Sequence, residues 1–97
     1  MDLDPPVLRL GPVIVAGDVP GLCDRVREAL AEPGAVVVIC DVGAVTRVDS
    51  VTIDALARLQ LAAQRLGGQI RVRGAGTHLA LLLAFAGLAA VIPCEPP

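Results

Sequence analysis

The stretch Ala35-Val36-Val37-Val38-Ile39-Cys40-Asp41, followed after a short loop by Val48-Asp49-Ser50, decides the fold of this chain. Its six apolar residues do not alternate with polar ones, which predicts a strand buried on both faces at the centre of a helix-covered sheet. A long amphipathic helix is predicted directly after Ser50. An acidic residue and a hydroxyl therefore stand where a strand leads into a helix, and such loops are where α/β domains usually place function.

Upstream of this stretch, the pattern predicts two short strands and a helix. The runs Val7–Leu10 and Val13–Ala16 are β-like and flank the turn signal Gly11-Pro12, so we expect an antiparallel pair. A helix follows, with Asp18 as its cap and Pro20 in its first turn, and it ends near Glu32 before Pro33-Gly34.

Downstream, the helix after Ser50 is predicted to span about residues 51–66 and to end at Gly67-Gly68. Its predicted buried stripe consists of Ala55, Leu56, Leu59, Ala62, Ala63 and Leu66. The alternating run Gln69–Arg73 predicts a less central strand, Thr77–Ala86 a third helix capped by Thr77, and Val91-Ile92 a last short strand.

The order β-β-α-β-α-β-α-β indicates an α/β fold with a small mixed, largely parallel sheet and helices packed on it. We expect one domain over residues 1–97.

Composition excludes several classes of function. A net charge of −2, no basic run and a single aromatic residue argue against nucleic-acid binding. The acidic start of the chain is unlike a signal peptide, and the uncharged apolar stretch 79–92 is shorter than the roughly 20 residues that span a bilayer. Three cysteines without zinc-ligand spacing favour a reduced, cytoplasmic protein without a metal or other cofactor.

The candidate chemistry centres on Ser50. Its hydroxyl, or the neighbouring Asp49 carboxylate, is placed to cap the helix. Ser50 is equally placed to carry a phosphate, because the positive end of a helix tolerates added negative charge. Thr46 and Thr52 are rival phosphoacceptors, and we interpret both as structural hydroxyls of the loop and the first helical turn.

The run from Cys40-Asp41-Val42 through Val48-Asp49-Ser50-Val51-Thr52-Ile53-Asp54 resembles the signature of the STAS domain, the fold of bacterial anti-sigma factor antagonists. The resemblance continues through Gly67–Val72, Leu83–Leu88 and Val91-Ile92-Pro93, and so covers nearly the whole chain.

This resemblance implies a regulatory, non-enzymatic role. The serine matching Ser50 is phosphorylated in that family by a partner that is both anti-sigma factor and serine kinase, and the unphosphorylated domain binds this partner. Asp49 is expected to shape the docking loop, and Asp41 to lie close to it. The partner-binding residues implied are Asp41, Asp49, Ser50, Val51, Thr52 and Asp54.

Two departures from the family pattern modify this expectation. Val51-Thr52 stand where the family commonly has a small residue and glycine, and β-branched side chains make that turn stiffer and bulkier. The segment Cys94–Pro97 stands where the family usually has a final helix, which it cannot form.

An alternative function rests on the third helix, whose residues Leu79–Ala86 are apolar all round. Because a third helix in a small domain should keep a wet face, this favours an interaction or scaffold protein that dimerises through that helix without a phosphoswitch. Leu61, opposite the buried stripe of its own helix, is a further partner-surface candidate.

The remaining reactive or flexible residues fit structural roles. We interpret Cys23 and Cys40 as core residues, Cys94 as exposed and able to form an intermolecular disulfide, and His78 as a surface side chain. Gly74-Ala75-Gly76 is interpreted as a turn, because a nucleotide site would need a third glycine.

Overall fold

The computed structural model of the protein describes residues 4–95. The acidic start at residues 1–3 and the Pro96-Pro97 end, on which two of the expectations above rest, lie outside the described residues. The elements are β1 (Val7–Arg9), α1 (Val19–Leu30), β2 (Val37–Asp41), α2 (Ser50–Gln64), β3 (Gln69–Arg73) and α3 (Thr77–Phe85), with a 3₁₀ turn at Ala16–Asp18 before α1.

The described strands form a parallel sheet in the order β1-β2-β3, with β2 at its centre. Val7 pairs with Ile39, which in turn pairs with Arg71. Two residues further along the strands, Arg9, Asp41 and Arg73 form another row. The three central residues of β2, residues 38–40, are almost fully buried. The prediction of a small α/β fold with a central buried strand is confirmed, but the strand begins at Val37, and Val36 of the predicted run is 60% exposed.

The predicted antiparallel pair at the start of the chain is wrong. Only Val7–Arg9 forms a strand there, and it pairs in parallel with β2. The following segment does not turn back, because the Pro12 carbonyl accepts the N–H groups of Thr46 and Arg47 in the loop after β2. Only Ile14 of the second predicted run is buried.

All three helices pack on one face of the sheet. The core joins Leu8, Val38, Cys40, Ile70 and Val72 to buried side chains of α1, α2 and α3. Right-handed crossovers that all step in one direction place their helices on the same side of a sheet. The alternate residues, such as Val7, Arg9 and Arg71, therefore form a face that carries no helix.

The core face of α2 matches the predicted stripe except at one end. Ala55, Leu56, Leu59, Ala62 and Ala63 are buried, but Leu66 lies beyond the helix and is 54% exposed, so that prediction is wrong.

The outer edge of β3 is completed by a side chain and by the C-terminal segment. The predicted strand at Val91-Ile92 is wrong: these residues continue a turn after α3, and the parallel bridge joins Val72 to Cys94 instead. At Ile70, two residues before Val72 on the same edge, the buried Gln60 side chain accepts the Ile70 N–H at 2.7 Å. The same side chain donates to the Val91 carbonyl at 2.6 Å. Gln60 thus occupies the place of a neighbouring strand.

We expect alkaline pH to destabilise the protein through Cys40. Burial raises the pKa of this thiol from 9.0 to about 12. The contribution of the neutral Cys40 thiol to the free energy of unfolding is therefore fully present below the pKa of the unfolded thiol. The free energy of unfolding then falls by about 1.4 kcal/mol per pH unit as the pH rises from there towards 12. The chain contains neither lysine nor tyrosine, so few other side chains titrate in this window.

The measurement is urea unfolding followed by circular dichroism between pH 8 and 12. The Cys40→Val variant, which keeps the bulk and removes the thiol, should show a much weaker dependence on pH. Equal slopes for the two proteins would contradict the assignment.

Candidate functional site

The candidate site lies where β2 ends and α2 begins, at the carboxyl end of the sheet. Asp41 is the last residue of β2 and Ser50 the first of α2, so residues 42–49 form the connecting loop. The predicted site residues therefore lie on this loop, at the end of β2 and on the first turns of α2.

Asp49, and not Ser50, caps α2. Its Oδ1 accepts the Thr52 N–H at 3.1 Å, and the Thr52 Oγ1 accepts the Asp49 N–H at 3.4 Å. This reciprocal pair is a capping box, with threonine in the place usually held by glutamate or glutamine. The Thr52 hydroxyl also lies 3.2 Å from the Arg47 carbonyl, and its side chain is fully buried.

The Asp49 carboxylate stays ionised over a wide pH range. Its pKa is lowered below the ordinary value chiefly by the Thr52 backbone N–H, with contributions from the Thr52 hydroxyl and the positive charge of Arg47. The second carboxylate oxygen lies 3.2 Å from the Arg47 Nε. A fixed negative charge therefore stands beside Ser50 and complements the positive end of the helix.

Ser50 itself is exposed and occupies the first position inside the helix. Because Asp49 and Thr52 provide the cap, the Ser50 hydroxyl is not required for it. A phosphate at this position would lie near the positive end of the helix dipole, which favours negative charge.

Asp41 holds the turn at the end of β2. Its Oδ1 accepts the Gly43 N–H at 2.9 Å. Gly43 in turn lies against Gly74, whose φ is +78° and where an added Cβ would come within 3.0 Å of the Gly43 Cα. The loops after β2 and β3 therefore meet backbone to backbone, and Gly74 serves a close approach, in agreement with its interpretation as a turn residue.

The other predicted site residues fall in different environments. Val51 is half-buried, Thr52 is buried, and Asp54 is exposed and pairs with Arg58 at 2.8 Å. Thr46 is exposed, and its hydroxyl donates to the Pro12 carbonyl at 3.3 Å. Among the hydroxyls of Thr46, Ser50 and Thr52, the one on Ser50 is exposed and is not used to hold the loop or to cap the helix.

Sequence reasoning missed a groove that begins at Ser50. It runs between α2 and α3 with a volume of about 520 Å³. The residues that line it, here called the α2–α3 groove, are Ser50, Ile53, Asp54, Ala57, Leu82, Phe85, Ala86 and Leu88. The spacing of Ser50, Ile53, Asp54 and Ala57 along one helical face is the signal that would have indicated it.

The exposed face of α3 is apolar, as expected. Leu81 is 54% and Phe85 90% exposed, whereas Leu79 and Leu83 are buried. Gly76, and not the predicted Thr77, occupies the N-cap position of α3. Leu61 and His78 are exposed, in agreement with the sequence analysis.

The three cysteines are unpaired, with Cys23 and Cys40 buried and Cys94 exposed, as expected. Within residues 4–95, no three histidine, cysteine or acidic side chains come together as metal ligands. No helix in that same range is long and apolar enough to cross a membrane.

Two comparisons with known proteins identify relatives of this fold. Residues 1–93 match the family model described as "Mlab, STAS domain". The NMR structure of the protein TM1081 superposes with a TM-score of 0.73 over 92% of this chain and 71% of that one, at 11% identity, which shows a shared fold alone. No protein of curated function matches the chain closely enough to compare.

We expect the Thr52 hydroxyl to stabilise the junction between loop and helix. Thr52→Val should lower the free energy of unfolding by about 1–3 kcal/mol, because it leaves buried polar groups of the capping box unsatisfied. Thr52→Ser keeps the hydroxyl and serves as the control. Urea unfolding measured by circular dichroism should rank the serine variant above the valine variant, and the opposite order would overturn this role.

Proposed function

The chain belongs to the STAS domain family, and on that premise we propose that it is a non-enzymatic regulatory module that binds a protein partner. The partner is an anti-sigma factor that is also a serine kinase, and phosphorylation of Ser50 switches binding off. Asp41, Asp49 and Ser50 with the loop between them, together with Val51, Thr52 and Asp54, form or support the docking surface. The domain acts in the cytoplasm, where such kinases meet sigma factors.

The observation that carries this proposal is that the residues that cap α2 are different from the residue that would accept the phosphate. Asp49 and Thr52 satisfy the helix terminus through their mutual hydrogen bonds. The exposed Ser50 hydroxyl can therefore gain a phosphate without loss of the cap. A residue that both capped the helix and accepted phosphate would couple modification to unfolding of the first turn.

Charge at the mouth of the α2–α3 groove explains how the modification would act. Ser50 and Asp54 lie one helical turn apart and both line this groove. A phosphate adds between one and two negative charges beside the Asp54 carboxylate. A partner that places apolar side chains in the groove and neutral or acidic groups at its mouth would be repelled.

The environments of Val51 and Thr52 fit this role despite their departure from the family pattern. Thr52 is buried in the capping box, and Val51 is half-buried. The added bulk of Thr52 is therefore buried, and Ser50 beside it remains exposed.

We expect one phosphate on the protein after incubation with ATP and the cognate anti-sigma factor kinase. Ser50→Ala should abolish it and Thr46→Ala, in the same loop, should not, as measured by mass spectrometry of the intact protein. Ser50→Asp should keep the circular dichroism spectrum and weaken binding to the kinase at least about tenfold, a loss of about 1.4 kcal/mol. Phosphate found only at another residue, or a kinase–sigma complex that is unaffected by the unphosphorylated protein, would refute the proposal.

A second candidate function is a scaffold that dimerises through α3 without a phosphoswitch. The observation that favours it is the exposed apolar pair Leu81 and Phe85, four residues apart on one face of α3. Phe85 is 90% exposed, and a large aromatic side chain in contact with water is typical of an interaction surface.

This second function predicts a dimer that Phe85→Glu converts to a monomer in analytical ultracentrifugation. Leu66→Glu, at an exposed leucine beyond the end of α2, is the control and should leave the dimer intact. A wild-type protein that is monomeric at high concentration would exclude this function, as would a dimer that survives Phe85→Glu.

A further inference from the structure

The outer edge of β1 presents backbone groups that pair with nothing in residues 4–95. The Pro6 carbonyl accepts the Ile39 N–H and the Leu10 N–H donates to the Asp41 carbonyl, so the even-numbered residues face β2. Parallel ladders alternate in this way, and the N–H and C=O groups of Val7 and Arg9 therefore point away from the sheet. Pro5 has no N–H and limits the free edge to these two residues.

The opposite edge of the sheet is treated differently. Along β3, the Val72 N–H donates to the Pro93 carbonyl, the Val72 carbonyl accepts the Glu95 N–H, and Gln60 satisfies Ile70. Proteins usually protect edge strands in such ways, because an open edge pairs readily with another chain. The β1 edge has no comparable cover among the described residues.

Charged and apolar side chains line the space beside this edge. Two hollows of about 350 Å³ each lie between β1 and α1, and Arg25 lines both. The hollow at the carboxyl end of β1 contains Arg9 and Leu22, with Asp18, whose carboxylate accepts the Val15 N–H. No carboxylate of the described chain lies within 4 Å of Arg25, so its guanidinium group is free to bind one.

The hollow at the amino end has the opposite character. Glu28 and Glu32 line it, together with Leu8 and Ala29. Because Arg25 lines both hollows, the edge is positive near its middle and negative towards the beginning of β1. This gradient favours an occupant with the reverse polarity.

We propose that the β1 edge binds an extended segment of a partner protein, which adds to the sheet as a further strand. The segment pairs its backbone with Val7 and Arg9, places a carboxylate near Arg25, and places a basic side chain near Glu28 and Glu32. This surface is separate from the Ser50 site, and its occupancy does not require phosphorylation.

A second copy of this chain fits the edge poorly. If the β1 strands of two protomers paired in an antiparallel way through Val7 and Arg9, the two-fold axis would pass by Leu8. Arg25 lies at the level of Leu8, because it lines both hollows. Arg25 would then face its own copy, and Asp18 would face Glu32 of the other protomer. Like charges brought together across a seam disfavour that assembly.

The test uses two acetylated and amidated heptapeptides in which Val and Thr alternate between a terminal Glu and a terminal Lys. One peptide has Glu first and the other has Lys first, so that the better binder reports strand direction. We expect hydrogen exchange of the Val7 and Arg9 amides, followed by NMR, to slow about tenfold when the free peptide reaches about nine times its Kd. A third peptide with Lys at both ends should bind more weakly.

Variants distinguish the contribution of backbone pairing to peptide affinity from the contribution of charge. Val7→Pro removes an outward N–H that the sheet itself does not use, and it should weaken the better peptide while the circular dichroism spectrum stays unchanged. Arg25→Glu should weaken that peptide about tenfold and should not weaken the peptide with Lys at both ends. Arg65→Glu, at an exposed arginine outside these hollows, is the matched control and should change neither.

Three outcomes would overturn the proposal. The first is peptide binding that protects only amides around the α2–α3 groove. The second is peptide affinity that is unaffected by Val7→Pro and Arg25→Glu. The third is protection of Val7 and Arg9 that grows with protein concentration without peptide, since that would assign the edge to a second copy.

Discussion

Parallel pairing of β2 on both of its edges is the constraint on which the rest of the structure depends. It fixes β1 and β3 in one direction, and right-handed crossovers then place α1 and α2 on the same face, where α3 also packs. It also brings the carboxyl ends of the strands to one end of the sheet. The turn held by Asp41 can consequently pack its Gly43 against Gly74, and the β2–α2 loop is supported from the neighbouring strand.

The same constraint leaves the sheet asymmetric. Because both crossovers step from β1 towards β3, the chain continues beyond β3, and its last described residues can pair with that edge. Gln60 extends this protection further along β3 from within α2. Within residues 4–95, no segment after β3 returns to pair with β1. The open backbone groups of Val7 and Arg9 are thus a consequence of topology.

Much of this fold was predictable from the sequence because its strongest signals are local. The unbroken apolar run that becomes β2, the alternation of Gln69–Arg73 and the helical spacing after Ser50 each report burial directly. The antiparallel pair failed because Val13 and Val15 look like strand residues, while their course is set by distant bonds from Thr46 and Arg47 to Pro12. Local patterns contain no information about such contacts.

The junction between β2 and α2 was predicted in position, but the division of roles among its side chains was not. The sequence placed an acid and a hydroxyl at the start of α2, yet it left open which of the two caps the helix. That depended on Thr52, whose side chain turns inward and completes the capping box. Gln60 was missed for a related reason: a polar residue in an apolar stripe indicates a buried hydrogen bond only when its backbone partner is known.

The capping arrangement also limits how a switch at Ser50 can work. A phosphate there leaves the Asp49–Thr52 hydrogen bonds in place and meets the favourable end of the helix dipole, so neither the cap nor the first turn has a reason to unfold. A ligand or modification shifts a conformational equilibrium only when it interacts differently with two states, and the hydrogen bonds of this cap do not involve the Ser50 hydroxyl. A switch at Ser50, as proposed, would therefore act through the change of charge at the mouth of the α2–α3 groove.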